Sequence, residues 1–253
     1  MSVSTLILAT LFSITFSLWV RRTTWNQTYE RAATFNLVLQ GCAVILMSPW
    51  ASEHIGKPIH SVLGIYNLED YLGHDLYIVA ASAIVLNALG RLDEGTYLTR
   101  SFKLFVELPA TICIPLMLCV FSFSRAADTY VVDFFQMPVD LWLVAYWLIL
   151  CVVLIHLLTY GSKLLIILRD DPRSLQVADA YIASCVCGII ACGVRITVSI
   201  TPVSPVVGSA IVWFFACACG VGFAATAAYS YLNKEKVERS ETAPDHAPKP
   251  ETV

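Results

Sequence analysis

The sequence predicts an all-α protein: a polytopic membrane helix bundle with seven transmembrane helices, its N-terminus outside and its C-terminus inside. Three observations predict it. The 253 residues are 57% apolar and only 14% charged, with a mean hydropathy of +0.70; an ordinary soluble domain is about a quarter charged, so too few charges are present to cover a water-facing surface. Long apolar runs alternate with short polar loops. The basic residues fall on alternate loops, as the positive-inside rule requires.

The elements follow in order. Val3–Val20 is an apolar run of spanning length, since ~20 residues cross the hydrocarbon. Arg21 and Arg22 follow it and no basic residue precedes it, the reverse of a cleaved signal peptide. Ala33–Trp50 is the second span, closing at Pro49-Trp50, an aromatic at interfacial depth. Residues 51–71 form the first sizeable outside loop. Leu72–Gly90 is the third span, within a stretch, Ile59–Leu92, that opens polar and turns apolar. Phe105–Phe123 is the fourth, containing Glu107, Pro109 and Pro115; a bundle tolerates prolines when neighbours satisfy the freed carbonyls. Asp140–Tyr160 and Ala178–Ile200 are the fifth and sixth, and Val206–Tyr229, rich in Gly and Ala, is the seventh, suited to close helix contact. Residues 1–232 thus make one transmembrane domain. Residues 233–253, rich in Glu, Lys, Pro and Ala, read as a disordered cytoplasmic tail.

The charges test this layout. The inside segments carry Arg21, Arg22 and Arg31; Arg91, Arg100 and Lys103; Lys163, Arg169 and Arg173; and Lys234, Lys236, Arg239 and Lys249. The outside loops carry only Lys57 and Arg125, and Arg195, within the sixth span, completes the 16. The net charge of −3 does not suggest a nucleic-acid partner. The partners expected are the lipid bilayer, a small solute or peptide at the outer face, and a cytoplasmic protein at the tail.

All 9 cysteines fall inside apolar runs, where they act as small packing residues. In Cys185-Val-Cys187 and Cys217-Ala-Cys219 the side chains diverge by about 200° on a helix, too far for one metal. The outside face is acidic, with Glu53, Glu69, Asp70, Asp75, Asp128, Asp133 and Asp140, and it also holds His54, His60 and His74. Asp70 and His74 share a helix face at i,i+4. This cluster reads either as a ligand site for a cation or as a solvated loop with Asn67 or Asp70 capping the helix. Arg195 lies about five residues from the outer end of its span, roughly 7–8 Å deep. Three readings are open for it: a pair with Asp75 or Asp140, snorkelling to the interface, or contact with an anionic ligand. The candidate ligand-binding set is Asn67, Asp70, His74, Asp75 and Arg195. Glu107 reads as interfacial, and Asn87 and His156 as interhelical hydrogen-bonding residues.

No catalytic, cofactor-binding or metal-binding residue is expected. The last span carries no lysine for a retinal Schiff base, and His74 and His156 lie near opposite membrane faces, too far apart to clamp a haem. There is no P-loop, HExxH or GxSxG motif and no paired intramembrane aspartates.

Ser61–Arg91, with the turn Gly64-Ile65-Tyr66-Asn67-Leu68 and the helix start Leu72-Gly73-His74, resembles the matching segment of an actinobacterial multi-pass membrane family. Its members are described as transporters, often stand beside helix-turn-helix regulators, and show a D-x-x-x-G-V-P-N-L-A turn before an L-G-H helix start. Here Ile65-Tyr66 replaces Val-Pro. The Phe121-Ser122-Phe123 close and the 160–179 loop are also similar, so the resemblance covers residues 1–232. A short form of this kind also suits an actinobacteriophage-encoded protein. The resemblance implies a bacterial plasma-membrane location, or the host membrane if phage-encoded. Two functional readings follow: small-solute or peptide transport or sensing at the outer mouth, or a non-transporting interaction protein that excludes a second phage or tethers a cytoplasmic regulator.

Overall fold

A computed structural model describes residues 2–24, 28–92, 96–172 and 174–242, and these contain helices and turns but no strand. The long helices are α1 (Val3–Val20), α2 (Thr28–Leu46), α3 (Pro49–Leu63), α4 (Leu68–Leu92), α5 (Thr99–Ser122), α6 (Leu141–Leu168), α7 (Leu175–Ile200) and α8 (Pro205–Thr242). Six of them are individually long and apolar enough to cross a membrane. A seventh span results only if α2 and α3, bent by 58° at their junction, are taken as one.

That junction departs from the expected layout. The second span was expected over 33–50; α2 starts at Thr28, already ends at Leu46, and the expected loop is largely the helix α3. Pro49 sits in the first turn of α3, and Ser48, in an extended conformation, accepts a hydrogen bond from Ala51 N at 3.2 Å. A serine cap followed by proline is a strong helix start, so the chain ends one helix and begins another. At the other terminus α8 runs past the expected boundary at 232 to Thr242. The disordered stretch expected beyond it is described only that far, and 243–253 lie outside the described residues.

The packing closes a ring. Around it α1 touches α2, α2 touches α4, α4 touches α6, α6 touches α7, α7 touches α8, and α8 returns to α1. Helix α5 stands outside, mainly against α6. The α7–α8 contact has a visible local cause. A Cβ at Gly222 of α8 would collide with the Ser184 hydroxyl of α7, and one at Gly208 would meet Val198 at 2.7 Å. The small residues of α8 therefore set its approach to α7, by dispersion contact rather than by a hydrophobic drive that lipid cannot supply.

One end of the ring is pinned by Arg21, which is 1% exposed. Its Nη1 donates to Ala227 O at 3.0 Å, and its Nη2 donates to Glu30 Oε2 at 2.9 Å and Thr34 Oγ1 at 3.2 Å. This residue, counted as a loop charge from the sequence, ties α1, α2 and α8 together. The opposite end is plugged by the 125–139 connection, whose Phe134–Gln136 turn lowers Phe134 and Phe135 into the core.

Candidate functional site

The plug is held on two sides. Asn67, 1% exposed and at φ 56, sits in the turn between α3 and α4. Its Nδ2 donates to Ala126 O at 2.7 Å and Thr129 O at 2.8 Å, and its Oδ1 accepts from Val131 N at 3.4 Å. Tyr66 N donates to Ala127 O at 2.9 Å, and Ser52 Oγ to Val131 O at 3.0 Å. On the far side Asp133 accepts from Ser209 Oγ at 2.5 Å and from Trp213 Nε1 at 3.3 Å, both on α8. It also accepts from Gln136 Nε2 at 2.8 Å and Phe135 N at 3.1 Å.

Beneath the plug, inside the ring, lies a cavity of about 100 Å³. Residues of α2, α4, α6, α7 and α8 line it, with Phe135 as its roof. The walls are overwhelmingly apolar, and Ala80, Leu154, Ala191 and Val212 are typical. Three buried groups with unused polar atoms line it: His74 and Arg195, each 2% exposed, and the Trp147 indole N–H. A smaller void, lined by Asn36, Asn87 and Tyr181, lies toward the Arg21 end, and Ile84 and Phe223 border both.

Arg195 resolves two of its three readings. It forms no ion pair among the described residues, so the expected pair with Asp75 or Asp140 is not made. Asp140 instead caps α6, accepting from Leu143 N at 2.7 Å and from Arg125 N at 2.8 Å. Nor does Arg195 snorkel: it is buried inside the ring. Its Nη1 donates to Phe135 O at 2.9 Å, and its guanidinium lies 4.0 Å from the centre of the Trp147 ring, a cation–π contact. Its Nε and Nη2 have no partner.

His74 stands on the same indole, edge-on to Trp147 at 5.1 Å between centroids, and is flanked by Phe134, Phe135 and Tyr146. Its Nδ1 is 2.8 Å from the Tyr146 hydroxyl, and its Nε2 is unpartnered. With the hydroxyl donating to Nδ1, Nε2–H remains a free donor.

The expected set therefore divides. His74 and Arg195 meet at the cavity, whereas Asn67, Asp70 and Asp75 do not line it. Asn67 spends its amide on the plug, so it neither caps α4 through its side chain nor faces a mouth. Asp70 is 2% exposed and Glu69 is fully buried with both carboxylate oxygens unpartnered. The acidic face expected to be solvated is thus partly internal. His54 stacks on Trp50 and His60 on Tyr66, both inside the α3 region. Among the described residues, no three His, Cys, Asp or Glu side chains converge as a metal set.

Sequence reading missed Trp147, Phe135 and Tyr146. Tyr146 and Trp147 were aromatics on an apolar run and Phe135 lay in a stretch read as an outside loop, and neither signal singles out a pocket. Comparison with protein-family models, with curated proteins and with solved structures finds no match.

Proposed function

We propose that the chain is a bacterial plasma-membrane protein that takes a small solute into the centre of its helix ring, for transport or sensing. The supporting observation is Arg195: a guanidinium 2% exposed, without an ion pair among the described residues, with two donor nitrogens unused at the edge of a void. A charge inside a membrane bundle is costly, and its usual reason is a pathway or a ligand. A cavity of about 100 Å³ admits a small solute and not a peptide. The second void, beyond Ile84 and Phe223, lies along a line through the ring toward the basic end, as a route across it would require.

The test uses the full chain reconstituted in vesicles and offered labelled monocarboxylates, amino acids, nucleosides and inorganic cations, alongside binding assays in nanodiscs. Flux of one class, lost on filling the cavity by Ala191→Leu, marks a carrier. Saturable binding without flux marks a sensor. No binding and no flux for any class, with Ala191→Leu only raising stability, refutes the reading.

A further inference from the structure

We propose that the cavity binds a short-chain monocarboxylate, its carboxylate held by Arg195 and His74 and its hydrocarbon end by the apolar walls; this rests on the solute-binding reading above. The polar demand comes first. Arg195 Nε and Nη2 are adjacent donors of one planar fork, both buried and both unpartnered. That edge matches the two oxygens of a carboxylate. His74 Nε2, also unpartnered, stands beside the same Trp147 ring and adds a third donor.

The charge must also be met. Asp133 acts on Arg195 through space but does not touch it, its oxygens being turned to the neutral donors of Ser209, Trp213, Gln136 and Phe135 N. A water molecule in the void would satisfy a donor but bring no charge into direct contact with the guanidinium; an anion satisfies the donors and supplies that charge. A cation is repelled by the guanidinium. Phosphate or sulfate would demand more donors and charge than these walls supply: beyond His74 and Arg195 the polar lining groups are the Trp147 N–H, Gln40 and Tyr77, and the rest is aliphatic, phenyl or sulfur-bearing.

Size then limits the hydrocarbon part. A cavity of roughly 150 Å³ takes up benzene, a molecule of six heavy atoms. The void here is about 100 Å³. By the same measure about four heavy atoms fit, so acetate and, at the limit, propionate are accommodated and longer acids are not.

The test titrates the full chain in nanodiscs with propionate, propionamide, nitrate and octanoate, following tryptophan emission and the thermal unfolding midpoint. Propionate is expected to shift both saturably, whereas the other three bind at least tenfold more weakly. Arg195→Gln is expected to weaken propionate at least tenfold. Ala191→Leu, which fills the void and leaves the guanidinium in place, is expected to abolish the response, so the proposal stays testable if the arginine variant does not fold. Equal binding of propionamide, nitrate or octanoate, or a propionate response unchanged in either variant, overturns the assignment. Silence toward propionate also overturns it. A response to another solute class that Ala191→Leu removes would then leave the solute-binding reading standing, and no such response would remove both.

Discussion

Asn67 shows how much one residue can be asked to hold. It must adopt a left-handed backbone, φ 56, and at the same time donate twice and accept once across to the plug. Asparagine tolerates that conformation better than most residues, and its amide is the only short side chain able to do both hydrogen-bonding jobs. Replacements should separate the two demands. Asn67→Gly keeps the backbone and loses the bonds, costing about 2–3 kcal/mol of unfolding free energy, because the carbonyls of Ala126 and Thr129 are left without donors. Asn67→Asp preserves the shape but sets a carboxylate oxygen against those carbonyls. It should cost more than the glycine variant, which is read from denaturation in detergent. An aspartate variant as stable as wild type would show that the amide does not carry the plug. The sequence offered Asn67 as a cap or a ligand because its partners lie some sixty residues away, and no local pattern reports such a contact.

At the scale of elements, two helices share one irregularity. In α3 a π-turn over Ser52–Gly56 precedes Pro58, and in α5 a π-turn over Lys103–Glu107 precedes Pro109. Proline has no N–H to give the carbonyl four residues back and crowds it as well, and widening the preceding turn relieves both. In α5 the carbonyl left without its usual donor is that of Phe105. His156 Nε2 donates to it at 2.8 Å from α6, which fastens the peripheral helix to the ring. His156→Leu should therefore cost about 1–2 kcal/mol and loosen α5. In a Pro109→Ala background the backbone N–H returns, so the same substitution should cost measurably less. A double-mutant cycle reads the difference, expected within the 0.5–3 kcal/mol typical of contacting groups; additive effects would mean that the two residues do not share the carbonyl. Proline within a span was visible in the sequence, as was the role of His156 as an interhelical partner. Which carbonyl it served followed only from the register between α5 and α6. The bend after α2 was missed because the fall in hydropathy after Met47 looks the same whether a loop or a second helix follows, and only the capping chemistry of Ser48 and Pro49 marks a new helix.

On the scale of the whole molecule, what was readable is what solvent physics decides: all-helical architecture, apolar rods and their approximate limits. The ring, the displaced α5 and the plug depend on which faces meet, and the hydrophobic patterns of lipid-facing and core-facing helices are too alike to report it. Arg195 was conspicuous from the start as an isolated charge in a span, but its orientation could be settled only by seeing Trp147 and Phe135 around it. The two ends of the ring differ in kind. One gathers Arg21, Arg22, Lys163 and Arg169, and the other gathers the plug with Asp128, Asp133 and Asp140. Anionic lipid and the membrane potential both favour the basic end on the cytoplasmic side, so the plug, and the cavity beneath it, should lie toward the exterior. Single cysteines at 128 and 169 test this in intact cells, against a background in which the native cysteines within apolar runs are replaced by alanine or serine. A membrane-impermeant maleimide should label Asp128→Cys directly and Arg169→Cys only after permeabilisation. The opposite pattern would place the plug in the cytoplasm, and any solute reaching Arg195 past it would then come from inside the cell.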